Sequence, residues 1–474
     1  MSAPPPSDAT SNAAAYRTLF VTSLVGFMVA LEITVIALAR DEIAQAFPDA
    51  SAASLSWVIT AYNIGVASVL LPAGWMADRF GRRRMFLWGL AIFAVGSLLS
   101  GLAISAELLI AARVLQSLGG ALQFPSGLAL LLTAFPIERR QMAIGVWGAM
   151  GGLAAALGPS VGALLVDALG WRSVFLINVP VALMAMLLGP TWLAESRGEG
   201  VARRVDLVGV PLASIGVGAF VLAIVQVSDW GWTAFGTLAS LTVGAVLLGL
   251  FIARSHRHPA PLFDLGLFRL RSYLVGNLGT VAFATAFFAW LIVLPEFLQR
   301  SWGWSVLKSG FAMAPGPMVS SMLAPIAGRF ADRFGSRPLL VAGGLLGVTA
   351  AAMHLAWTGT EPSYVTGMLI PGVVVGLCAA CGFAPLVGAA MRDVLPPRYA
   401  MAGAGRTTIF QLSVALGVAA AIGIVGRPAS PDEFLGGMRW VWLLALVLFA
   451  TQALLFATAY PRRDGAPIAR ARAN

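Results

Sequence analysis

One acid, Glu32, stands inside an apolar run over residues 18–39 that is long enough to cross a bilayer. It lies about 14 residues into that run, roughly 21 Å along a helix axis. A carboxylate in hydrocarbon is costly and is expected to face a cavity or a partner. Burial favours the neutral form of a carboxyl group and a nearby cation favours the anion, so one such group can trade a proton for a cation. The blander alternative is a protonated acid bonded to a neighbouring helix. Arg113 stands in another apolar run and stays charged, so it needs a carboxylate or several carbonyls. Asp78 lies among Arg79, Arg82 and Arg83, and Asp332 with Arg333 repeats the arrangement. An acid at a helix terminus among arginines can form an ion-pair latch that closes one end of a helix bundle and breaks on opening. Surface salt bridges of this type are otherwise worth about 0–1 kcal/mol.

Fourteen apolar spans must position these groups, at 18–39, 55–77, 84–104, 107–135, 141–166, 171–193, 205–227, 234–254, 272–298, 310–330, 338–358, 363–391, 402–425 and 437–460. Hydrophobic residues make up 58% of the chain and charged ones 11%, against roughly 45–50% and about 25% in a soluble protein. The pI near 10.7 reflects loop topology rather than a nucleic-acid partner. Of 31 basic residues, 23 fall on one set of loops and tails. The other set holds only Arg40, Arg172, Arg300, Lys308, Arg427 and Arg439, while Arg113 and Arg406 lie within spans. The positive-inside rule then puts both termini in the cytoplasm. Trp230-Gly231-Trp232 and Trp302-Gly303-Trp304 fall at outer span ends, where an aromatic belt is expected. Residues 1–16 are rich in Pro, Ala and Ser and read as a disordered tail. Ala37-Leu38-Ala39 resembles a signal-peptidase site, but the preceding run is long and carries Glu32.

The chain repeats itself. Gly74-Trp75-Met76-Ala77-Asp78-Arg79-Phe80-Gly81-Arg82-Arg83 returns as Gly328-Arg329-Phe330-Ala331-Asp332-Arg333-Phe334-Gly335-Ser336-Arg337, and Phe124-Pro125 is echoed by Ala384-Pro385. The expected fold is all-α and membrane-integral. Two six-helix bundles, at 17–200 and 261–461, are related by a pseudo-twofold along the membrane normal, with a two-helix insertion at 201–260 and a tail at 462–474. Parallel repeats of this kind carry a site between them near the midplane. Gly148, Gly151, Gly152, Gly158, Pro159 and Gly162 give the fifth span a small face and a point at which it can bend.

These residues resemble the major facilitator superfamily over nearly the whole chain. The Gly-x-x-x-Asp-Arg-x-Gly-Arg-Arg loop at 74–83, with its copy, is similar to that superfamily's loop signature. The inserted pair and the Trp230-Gly231-Trp232 turn resemble its fourteen-helix drug/proton antiporter family. Arg113-x-x-Gln116-x-x-Gly119 is similar to the pattern Arg-x-x-Gln-Gly-x-Gly, with Ser117 in place of Gly. Gly158-Pro159-x-x-Gly162-Ala163 resembles the antiporter pattern Gly-Pro-x-x-Gly-Gly. Leu31-Glu32-x-Thr34-Val35 resembles Leu-Asp-x-Thr-Val, with Glu for Asp. The resemblance implies a proton-coupled exporter of lipophilic, cationic molecules working by alternating access. In it Glu32 and Arg113 couple the proton, and the two acid–arginine loops gate.

Polar and aromatic residues inside spans are candidates for the cavity: Tyr62, Asn63, Gln116, Gln123, Phe124, Phe287, Trp290 and Gln411. Aromatic faces suit organic cations, although most aromatics in membrane helices simply pack. Gly158-x-Ser160-x-Gly162 mimics a hydrolase elbow, yet it lies inside a span with no histidine near it in sequence. Cys378-x-x-Cys381 lies within a span, and His256 with His258 lacks further ligands at zinc spacing. No nucleotide-binding Gly-x-x-x-x-Gly-Lys-Ser/Thr sequence occurs, which leaves an ion gradient as the fuel. No cofactor or metal is expected. The expected partners are a small lipophilic substrate, protons and membrane lipid, with the chain a monomer. A single-product exporter and a nutrient importer remain alternatives, whereas an enzyme or receptor would need a polar cluster or soluble domain that is not evident.

Overall fold

The computed structural model describes residues 8–36, 39–198, 206–426 and 428–461, and regular structure among them is helical, without a strand. The chain runs through α1 (Asp8–Val35), α2 (Arg40–Ala46), α3 (Ala52–Phe80), α4 (Arg82–Gly101), α5 (Ala106–Ala134), α6 (Arg140–Leu169), α7 (Ser173–Leu176), α8 (Asn178–Trp192) and α9 (Gly209–Val225). It continues through α10 (Val227–Trp230), α11 (Phe235–Arg257), α12 (Arg271–Arg300), α13 (Val306–Met313), α14 (Pro315–Phe334), α15 (Ser336–Trp357), α16 (Ile370–Met391), α17 (Tyr399–Val425) and α18 (Pro431–Thr458). Among the described residues, eleven helical segments are long and apolar enough to cross a membrane, against fourteen expected. Of the remainder, α9 has only 17 residues, and α14 carries Arg329, Asp332 and Arg333 towards its end.

Two expectations are corrected. Helix α1 begins at Asp8, well inside the tail expected to be disordered, because Ala13-Ala14-Ala15 supplies strong helix formers ahead of the apolar run. Several spans are also broken. The one expected at 310–330 divides into α13 and α14 at Pro315, whose ring removes a backbone donor. The one at 363–391 opens with a π-turn, Val365–Leu369, before Pro371 in the first turn of α16.

Glycine sets how closely the helices approach. A methyl group at Gly96 of α4 would lie 2.7 Å from the Gln116 backbone of α5, and one at Gly119 would lie 2.5 Å from Phe93 of α4. The early and late helices meet most extensively in two pairings, α3 with α17 and α6 with α14. They correspond under the sequence repeat. A methyl at Gly74 would meet Ala400 and Ala404, and one at Gly328 would meet Gln141 and Met142. The small face of α6 is used at Gly145 and Gly152, against Ala324 and Ser321 of α14, whereas Gly151 faces open space. Helix α9 packs on α3, and α11 packs on α9. Arg254 of α11 donates to Asp206, just ahead of α9, at 2.7 Å. Exposed Leu238, Val243, Val246 and Leu250 along α11 form the kind of surface that lipid covers.

Gly344 of α15 sits 2.8 Å, measured from an added methyl, from Phe449 and Ala453 of α18, while Gly436 at the start of α18 has nothing within 4 Å. Gly344→Leu should lower the melting temperature of the detergent-purified protein, at a cost of about 1–3 kcal/mol for overpacking. Gly436→Leu should leave it unchanged. Equal melting of the two variants would contradict this packing.

Candidate functional site

Glu32 is buried at 2% exposure, within a cluster contributed by five helices. Arg113 of α5 donates through Nη1 to Glu32 Oε1 and to Gln116 Oε1, the latter at 2.7 Å. Its Nε donates to the Val58 carbonyl of α3 at 3.0 Å. Its guanidinium lies over the Tyr62 ring, 4.3 Å from the centroid. Gln116 Nε2 donates to Glu32 Oε2 at 2.7 Å and to Ser97 Oγ of α4 at 2.6 Å. Asn178 of α8 donates to the same Glu32 oxygen and to Ser97 Oγ, each at 3.2 Å. Both carboxylate oxygens are therefore matched, as a buried charge requires.

Local structure explains how this cluster assembles. Arg113 and Gln116 are three residues apart and share one face of α5. The α4–α5 contact through Gly96 brings Ser97 up to Gln116. Sequence reading anticipated Glu32 and Arg113 as a pair, but it assigned Tyr62 and Gln116 to a substrate cavity, and the structure binds them into the acid's own shell. Ser97 and Asn178 were missed. Asn178 was detectable as an amide inside an apolar run, although nothing in its spacing names Glu32 as its partner.

Asp78 is fully buried at the end of α3. Arg82 donates to its Oδ1 from Nε at 3.0 Å and from Nη2 at 2.8 Å. The carboxylate also accepts the backbone N–H groups of Ala400 at 3.2 Å and Met401 at 2.8 Å, in the first turn of α17. Those amides have no partner within their own helix, and the helix dipole favours an anion there. Arg82 further donates to the Pro396 carbonyl just ahead of α17. Arg140 donates to the Tyr399 hydroxyl at 2.6 Å and faces its ring.

The second copy performs the same contact in the opposite direction. Asp332 accepts the N–H groups of Gln141 and Met142, both at 2.9 Å, in the first turn of α6. Arg83 donates to the Pro190 and Leu193 carbonyls at the end of α8, and Arg337 donates to Phe456 and Ala457 at the end of α18. Gly81 and Gly335 take the left-handed turn after each acid, with φ of 112° and 85°. Glu195, unremarked in the sequence, caps α4 by accepting the N–H groups of Arg83 and Arg84, each at 3.1 Å. Arg79 and Arg333 lie over the neighbouring rings of Phe80 and Phe334.

The remaining candidates are spread out. Gln123 and Phe124 line a void of about 10 Å³ with Thr22, Gly26 and Trp147, and the Gln123 amide has no partner among the described residues. Phe287 sits in an aromatic group with Phe283, Trp290 and Phe383, at centroid distances of 5.7, 6.2 and 5.1 Å. Asn63 and Gln411 are half-buried on α3 and α17, which pack together. Helix α6 runs unbroken through Gly158, Pro159 and Gly162, and the Pro159 side chain lies outside the described residues.

Long apolar helices, a charge cluster enclosed by five of them and a crosswise pair of interhelix latches define a multi-pass membrane transporter. The chain matches the Major Facilitator Superfamily family model over residues 19–378 and 276–473, and it belongs to that superfamily. It is 36% identical to the tetracenomycin C resistance and export protein of Streptomyces glaucescens, covering 78% of this chain and 68% of that one. It is 34% identical to the multidrug resistance protein Stp of Mycobacterium tuberculosis, covering 81% and 71%. Its fold is similar to that of the proton:xylose symporter XylE, with a TM-score of 0.67 at 14% identity over 96% of this chain and 97% of that one.

Removing the charge from Asp78 leaves a buried arginine unmatched and deprives α17 of its cap. Asp78→Asn in a background lacking Cys378 and Cys381 should raise labelling of Met401→Cys by a membrane-impermeant maleimide by roughly tenfold or more, since breaking a buried pair costs about 3–5 kcal/mol. Labelling at the parental rate would refute the latch.

Proposed function

We propose that this protein is a proton-coupled secondary active exporter of small lipophilic molecules, organic cations among them, working by alternating access. The observation that carries this reading is the Glu32 cluster: a titratable acid buried among membrane helices, held by one permanent cation and two amides. The relatives' names add drug resistance and export. In this reading the bundles are residues 17–200 and 261–461, with α9 and α11 as the insertion at 201–260 and fourteen crossings in all. Both termini lie in the cytoplasm of a bacterial cell, the proton gradient supplies the energy, and no cofactor takes part.

The latched arrangement then closes the cytoplasmic side. A proton arriving from outside neutralises Glu32, frees Arg113 from its carboxylate and removes the charge that ties α1 to α5. Loss of that tie lets the bundles tilt, and the tilt pulls Asp78 and Asp332 off the amides of α17 and α6. Release of the proton inward, with uptake of cargo, restores the ion pair and the latches. A pump dedicated to one natural product is the second reading, favoured by the likeness to the tetracenomycin C exporter.

In everted vesicles, Glu32→Gln should abolish efflux driven by a pH gradient, measured with ethidium, while membrane expression stays at the wild-type level. Gradient-driven transport persisting in that variant would exclude Glu32 as the coupling acid.

A further inference from the structure

Among the described residues, one full charge in the late helices is left without an acidic counterpart. Arg406 of α17 is 7% exposed, and its Nε has no hydrogen-bond partner among the described residues. The acids that meet the start of α17 are committed elsewhere: Asp78 to Arg82, and Asp264 to Arg398 at 2.5 Å. The guanidinium stays charged, and an unmatched charge buried among membrane helices is costly and marks a pathway.

Its surroundings specify what would match it. Arg406 follows Tyr399 by seven residues, so it lies roughly 10 Å behind the latched first turn of α17. The Tyr273 hydroxyl of α12 reaches this part of α17: it donates to the Ala402 carbonyl at 2.9 Å, and a methyl added at Gly405, next to Arg406, would lie 2.9 Å from it. One turn along α12, buried Asn277 spends its N–H on the Tyr273 carbonyl at 2.8 Å. Phe410, four residues after Arg406, shares its face of α17. That ring lies 5.9 Å from Phe288 and 6.3 Å from Phe383, and all three are only partly buried. A fixed cation thus stands beside an aromatic group, just behind the latch that separates α3 from α17 on opening.

We propose that Arg406 anchors an anionic oxygen of an aromatic cargo, a carboxylate or phenolate, whose ring rests on Phe410 and its neighbours. The assignment rests on the export reading and narrows it, since cargo that carries an acidic group is preferred to cargo that is only cationic. A lipid phosphate offers the same chemistry to the guanidinium, and the experiment separates the two sources.

The test is binding to the purified full-length protein in nanodiscs, read by fluorescence anisotropy. The probes are fluorescein, an aromatic carboxylate, and rhodamine 123, a cationic ester on a closely related ring system. Wild type should bind fluorescein more tightly. Arg406→Gln should raise the fluorescein Kd about tenfold, as expected for loss of one charge-assisted contact, and leave rhodamine 123 unchanged. Arg406→Lys should restore most of the loss. An unchanged fluorescein Kd in Arg406→Gln overturns the proposal, as do an equal loss for both dyes and the absence of fluorescein binding to wild type. If Arg406→Gln does not fold, fluorescein and its methyl ether methyl ester, which carries no acidic group, are compared on wild type, where equal affinity overturns the proposal. Nanodiscs of phosphatidylcholine alone are compared with ones containing phosphatidylglycerol. If phosphatidylglycerol displaces fluorescein from wild type and from Arg406→Lys but not from Arg406→Gln, the anion is lipid and the cargo assignment fails. Binding needs no gradient, so failure of wild type to drive efflux would sink the export reading separately.

Discussion

The first turn of a helix exposes amide N–H groups that its own backbone cannot satisfy, and a membrane offers little water to satisfy them. In this protein, two such turns are each met by a carboxylate from the opposite group of helices. Asp78 serves α17 and Asp332 serves α6. The contact is directional, charged and reciprocal. It also depends on close approach, which Gly74 and Gly328 permit by carrying no side chain where the helices touch. One interaction, used twice, therefore joins the early helices to the late ones.

The two copies are not equal. Asp78 is fully buried and doubly bonded by Arg82, whereas Asp332 is half-buried and has Ser336 where the first copy has Arg82. The supporting residues nevertheless correspond. Gly81 and Gly335 turn the chain, and Arg83 and Arg337 each close the carbonyl end of a later helix. Repetition thus extends beyond the acid to the means of holding the loop in place. The difference in burial makes the first latch the stronger of the two, because a charge–dipole contact gains strength as water is excluded.

The Glu32 cluster follows the same logic inside the helices. An acid and an arginine in hydrocarbon are each prohibitive alone, and together they stand only if the remaining lone pairs and N–H groups are also met. Gln116, Ser97, Asn178 and the Val58 carbonyl meet them. Protonation of Glu32 would break a network rather than a single contact, so its effect reaches five helices at once. Arg406 is the exception to this accounting, and that is why it draws attention.

The sequence by itself determined the helical class, the membrane as solvent, the doubled loop and the two charged residues most worth pairing. Each is a local or periodic property: apolar runs of sufficient length, a ten-residue pattern seen twice, an acid and an arginine where neither is affordable alone. Helix boundaries were legible except where Pro315 and Pro371 break spans, and where alanines carry α1 back to Asp8. Partners were not legible. That Asp78 reaches the amides of Ala400 and Met401, that Asn178 shares an oxygen with Gln116, and that Arg406 finds no acid among the described residues are matters of helix rotation and crossing. Those are set by how side chains and glycines pack over hundreds of residues, and only the tertiary structure decides them.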